Sequence, residues 1–172
     1  MADQQTRFID RLKLDAAAGT WMDQTRRYLL VRPDTLMGMF RKLPEPARQQ
    51  ALEALALSVF EHGADSARAY RAMGGTGDKL IDMIAETAPQ LGWGQWRFAR
   101  EEAGLRLAVS GSPFAEGHGP SDEPVCHAIK GMLRAVATLA FATPMAVSES
   151  ACASMGAGTC SFYAWPEAAA AL

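Results

Sequence analysis

Four side chains near the carboxyl end carry the residue types best suited to chemistry. They are Cys126, Glu149, Cys152 and Cys160, spaced C-x22-E-x2-C-x7-C. Three thiolates and one carboxylate satisfy tetrahedral zinc and leave no position for water, which is the pattern of a structural site and not a catalytic one. The same residues admit other readings: a disulfide between two of them, a reactive thiol, or small buried apolar groups. An odd count of three cysteines excludes a fully paired framework within one chain. The first 125 residues hold no cysteine, so the clustering itself suggests a shared role. Three thiols do not match the common paired zinc spacings, and spacing alone leaves the choice open.

The elements around these residues decide which of them can meet. The stretch "VCHAIKGMLRAVATLAFA" reads as a helix with Cys126, Ile129, Leu133, Val136 and Ala140 on one apolar stripe. His127, Lys130 and Arg134 fall on a polar stripe turned by about 100° per residue from the first. Cys126 is therefore expected to face the core and His127 to face solvent. The amino end of this helix favours a thiolate at Cys126, and Lys130 is a candidate to offset the remaining negative charge. "PMAVSES" and "TCSFYAW" read as a hairpin, with Met145, Val147 and Glu149 on one strand face. Gly156 and Gly158 permit a tight reversal between Cys152 and Cys160, which lets the sulfurs converge near Glu149.

Upstream, residues 1–24 read as a polar, alanine-rich arm. Tyr28 to Val31 suits a short extended segment, and Pro33 fits the first turn of a helix. "EPARQQALEALALSVFEHG" is the clearest helix, with Gly63 expected to end it and Asp65 to cap the next one, "SARAYRAM". "GGTGDK" departs from the phosphate-loop pattern and reads as a connector, with Asp78 capping the helix "DKLIDMIAETAPQLG". "WGQWRFAR" and "LRLAVS" then alternate with period two and form a hairpin, and "GSPFAEGHGPSDEP" reads as a Gly/Pro loop. Helices first, then hairpin–helix–hairpin, indicate an α+β domain: N-terminal helices packed on an antiparallel sheet. Residues 25–166 are expected to form that single domain and 167–172 a short tail.

A net charge of −2 gives no electrostatic case for nucleic acid or a membrane surface. No apolar run approaches the roughly 20 residues of a membrane span, and the charged amino end lacks a signal-peptide core. A cytoplasmic protein is the expectation. No dinucleotide-binding glycine pattern, nucleophile triad or marked carboxylate pair stands out, so no catalytic residue is assigned. His62 and His118 read as surface residues at a helix end and in a loop. A pocket between helices and sheet is the better functional reading, with Trp96, Phe98 and Leu107 as one wall and Tyr70, Met83 and Trp93 opposite. The same stripe is also what a filled core requires.

The four-residue pattern behind "PVCHAIKGML", with its glycine-rich loop and the following Phe162, resembles the 4-vinyl reductase domain over roughly Glu123 to Trp165. That resemblance implies a small ligand-binding module known from bacteriochlorophyll-linked proteins and from phenol-sensing transcriptional activators. In the sensors the matching cysteines and glutamate bind zinc, so Cys126, Glu149, Cys152 and Cys160 become the implied metal ligands. It also implies a fold similar to TRAPP tethering subunits and haem-based nitric oxide sensor domains, and a homodimer in which the amino-terminal arm could exchange. The expected function is a stand-alone domain that binds a small hydrophobic or aromatic ligand. The alternatives are a vinyl reductase or tetrapyrrole-binding accessory protein of the bacteriochlorophyll pathway, and an assembly subunit with a filled core.

Overall fold

The computed structural model describes residues 7–72, 76–102 and 104–168. The chain begins with a short helix, α1 (Phe8–Arg11), and a small antiparallel meander, β1 (Lys13–Asp15), β2 (Thr20–Asp23) and β3 (Arg26–Tyr28). Three helices follow: α2 (Pro33–Arg41), α3 (Ala47–Ala72) and α4 (Gly77–Gln90). A hairpin of β4 (Gln95–Arg100) and β5 (Leu105–Ser110) leads through α5 (Pro113–His118) to the long helix α6 (His127–Phe141). The chain closes with β6 (Met145–Ala151), a 3-10 turn (Ala153–Met155) and β7 (Cys160–Pro166).

The main sheet is antiparallel with strand order β4-β5-β7-β6, so the last strand inserts between the two halves. Register places Leu105 opposite Ala164, Leu107 opposite Phe162 and Val109 opposite Cys160. All six are buried on the face that α6 covers. Each fully buried Leu, Val or Phe there stabilises the fold by about 1.5–3 kcal/mol relative to exposure. The second face of α6 is taken by α3. The two helices cross at Gly131, where an added Cβ would lie 2.1 Å from the Ala56 carbonyl oxygen. The α+β architecture expected from the sequence is the one observed. Among the described residues no helix is long and apolar enough to cross a membrane.

Several local expectations are corrected. Residues expected to form an arm instead form α1 and the meander, held by Arg11, which donates two 3.1 Å hydrogen bonds to the buried Asp23 carboxylate. The apolar run after Tyr28 is not in a strand, and Leu29, Leu30 and Val31 are exposed. Helix α3 runs through Gly63 without a break, because the Met132 methyl group occupies the space a Cβ would need there. Asp65 is not a cap and instead pairs with Arg68. Thr76, not Asp78, caps α4, and Asp78 pairs with Arg100. The Gly/Pro loop contains α5, whose Ser112 hydroxyl accepts from the Ala115 amide while Pro113 fills the first turn.

Candidate metal centre

Each of the four side chains arrives from a different structural device. Cys126 caps the amino end of α6, where backbone N–H groups point outward and favour negative charge. Glu149 sits on β6 at an irregularity in the β6–β7 pairing. Cys152 precedes the 3-10 turn and Cys160 opens β7. Gly156, at φ +89°, makes the reversal between them, whereas Gly158 keeps φ outside the left-handed region.

The Cys126 Sγ lies 3.8 Å from that of Cys152 and 3.7 Å from that of Cys160. One oxygen of Glu149 joins them, and all four donor atoms lie within 4.8 Å of one another. A disulfide needs its sulfurs at about 2.05 Å, so these thiols are unpaired. A tetrahedron with metal–sulfur bonds of about 2.3 Å has edges of about 3.8 Å, which is the spacing found here. All three cysteines are fully buried.

The surroundings fit negatively charged ligands. The Ala153 amide donates to Cys160 Sγ at 3.3 Å, and the Ser112 hydroxyl lies 3.2 Å from Cys126 Sγ. The Cys126 amide donates to Glu149 Oε2 at 3.0 Å, which fixes the carboxylate against the helix start. Its other oxygen, Oε1, is buried without a partner. An orphaned carboxylate oxygen facing three sulfurs is an incomplete arrangement that a cation completes. Without one, charge cannot be shared evenly. Burial, aided by the Cys152 charge, pushes the Glu149 carboxyl up to about 8. Hydrogen bonds from Cys126 and Cys160 hold the Cys152 thiol down, while the Cys126 thiol is pushed up by sharing with Cys152 and Cys160 and by burial. The four groups could hold a metal ion.

Three expectations near the site change. His127 does not face solvent. It is 4% exposed, and its Nε2 lies 3.0 Å from Glu53 on α3. Lys130 binds the same Glu53 carboxylate at 2.9 Å, so it is engaged away from the sulfurs. The polar stripe of α6 therefore meets α3, and Glu53 is the matching acid across the crossing. His118 is also not a surface residue, being 3% exposed. Sequence reasoning missed Ser112 and Glu53. The first was signalled by Ser-Pro ahead of a helix start; the second lies far away in sequence and had no local signal.

The residues expected to line a pocket are placed in one region, apart from Tyr70, which belongs to α3 and whose side chain falls outside the described ones. Trp93, Trp96 and Phe98 form a chain of ring contacts at 6.4 and 5.8 Å that Phe114 extends at 5.0 Å. Phe98 lies opposite Leu107 across the hairpin. Trp96 and Leu107 are buried, and Met83, Trp93 and Phe98 are half-buried against the core. Two surface clefts lie elsewhere. One, of about 610 Å³, runs along Ser112, Ala115, Gly119 and Ser154; the other, of about 260 Å³, lies between Glu53, Phe60, Arg134 and Val147.

With that geometry established, known proteins give a consistent picture. No curated protein matches the chain by sequence. The phenol-responsive sensory domain of the transcription activator PoxR has a similar structure, with a TM-score of 0.78 at 16% identity, covering 91% of this chain and 85% of that one. A trafficking protein particle complex subunit 3 from Naegleria fowleri, covalently bound to palmitic acid, aligns at a TM-score of 0.56 and 10% identity, covering 79% of this chain and 95% of that one. An H-NOX domain from Shewanella oneidensis aligns at 0.54 and 14% identity, covering 84% of this chain and 82% of that one. Residues 105–166, which include all four candidate ligands, match the 4-vinyl reductase domain, and the chain carries that domain within a fold shared with these sensory and trafficking proteins.

Proposed function

We propose that this protein is a small-molecule-binding sensor domain anchored by a structural zinc ion on Cys126, Glu149, Cys152 and Cys160. The observation that carries the metal reading is the sulfur spacing of 3.7–3.8 Å beside an orphaned carboxylate oxygen. Zinc is favoured over harder cations because three of the four donors are thiols. When bound, zinc supplies charge neutralisation and a cross-link between the start of α6, β6 and β7, with no open position for a reaction.

The ligand reading rests on the likeness to the PoxR sensory domain and on the aromatic wall of Trp93, Trp96 and Phe98 with Leu107 and Met83. A small aromatic or hydrophobic molecule enters this layer by displacing half-buried side chains, for which Met83 is suited by its flexible thioether. The domain acts as a homodimer in a reducing, cytoplasmic setting, where unpaired thiols persist.

Elemental analysis of protein purified without an affinity metal should give about one zinc per chain. A thermal-shift screen of phenols, other small aromatics and porphyrins should find a compound that raises the unfolding temperature. A uniformly flat screen defeats the ligand reading in favour of a scaffold, and robust reduction of a divinyl tetrapyrrole would replace it with an enzyme.

A further inference from the structure

Where the end of α2, the start of α3 and the end of α5 come together, three basic side chains are left incompletely satisfied. This place is separate from the sulfur cluster and from the aromatic wall. The His118 ring is 3% exposed, and its Nδ1 lies 3.4 Å from the Gly119 carbonyl oxygen. That oxygen can only accept, so Nδ1 carries the ring proton in this contact. The opposite nitrogen, Nε2, is buried with no partner. On α3, Arg48 donates from Nη2 to the Leu43 carbonyl at 2.9 Å and pairs through Nη1 with Glu45 at 3.2 Å. Its Nε is a second buried polar atom with no partner. Arg41, in the last turn of α2, lies against the residue next to His118: a Cβ on Gly119 would sit 3.6 Å from its Nη1. Among the described residues Arg41 has no ion-pair partner.

Two orphaned buried nitrogens beside an unpaired guanidinium make a cradle for an anion. We propose that Arg41, Arg48 and His118 bind the carboxylate group of a small organic acid. Charge counting selects the class. Glu45 already neutralises Arg48, and a neutral His118 adds nothing, so Arg41 leaves one positive charge to be met. A carboxylate meets it alone, and its two oxygens match a planar guanidinium. A phosphate dianion brings one charge too many. The electrostatics of the ring agree: burial first, and then Arg41 and Arg48, lower the His118 pKa, against the Gly119 carbonyl and a weak opposing effect of Cys152. A bound anion reverses the effect of the two arginines, so His118 becomes easier to protonate and Nε2 gains a proton to donate. Binding therefore tightens as pH falls.

The experiment is ring-proton NMR of His118 in the full chain at constant ionic strength, titrated separately with sodium acetate, sodium benzoate and inorganic phosphate. A carboxylate should shift the His118 resonance saturably and raise its titration midpoint. Arg41→Gln should weaken that binding by about tenfold or more, because it removes charge-assisted hydrogen bonds, while the unfolding temperature stays as in the parent. Absence of a saturable shift with either carboxylate would mean that water satisfies the orphaned nitrogens, and the proposal falls. Unchanged binding in Arg41→Gln overturns it equally, and a response to phosphate alone overturns the carboxylate assignment.

Discussion

Replacing a single sulfur tests the metal centre most directly. Cys160→Ser removes one of four ligands and leaves the Ala153 amide without its sulfur acceptor. The variant should lose its zinc and about 4 kcal/mol of stability, read by elemental analysis and by denaturant unfolding. Glu149 gives a second test through pH. In metal-free protein burial holds its carboxyl up to about 8, against about 4.3 for an exposed glutamate. A carboxyl raised in the folded state stabilises the fold below its unfolded value, and that contribution is lost as pH rises through the folded one. Metal-free protein should therefore become less stable between about pH 4 and pH 8. Zinc-loaded protein should show the opposite trend, because its ligands must be deprotonated to bind. Parallel slopes with and without a chelator would remove Glu149 from the metal set.

At the level of elements, two helix glycines look alike in sequence and differ in consequence. At Gly63 the nearest obstacle to a Cβ is the methyl end of Met132 at 2.8 Å, which can swing aside. Gly63→Ala should stabilise the protein by up to about 1 kcal/mol through helix propensity. At Gly131 the obstacle is the Ala56 carbonyl at 2.1 Å, which belongs to the backbone of the crossing helix. Gly131→Ala should cost about 1–3 kcal/mol or more, since α3 and α6 must separate. Unfolding midpoints of the two variants check both signs. The same contrast explains what the sequence made legible. Period and apolar stripe revealed α6, both hairpins and the inward face of Cys126, because those signals lie within one element. The continuity of α3 through Gly63 was hidden, because the side chain that fills the glycine's space comes from α6. The burial of His127 was hidden in the same way, since its partner Glu53 is 74 residues away. The meander escaped notice because its strands span only three or four residues and their exposed positions outnumber their buried ones.

The whole molecule depends on the placement of β7. It lies between β5 and β6 and contributes Cys160, Phe162 and Ala164 to the buried face. A chain ending at residue 158 should therefore show no cooperative unfolding transition in circular dichroism, although all six described α-helices precede the cut. Until its final strand is supplied, this sheet is two unconnected flanks with a vacant lane between them. A chain leaving the ribosome from its amino end receives that lane's occupant last, together with the third sulfur. Completion of the sheet and of the metal-ligand set thus become one late event, and a nascent chain stalled before it exposes two hydrophobic strand edges to chaperones or aggregation.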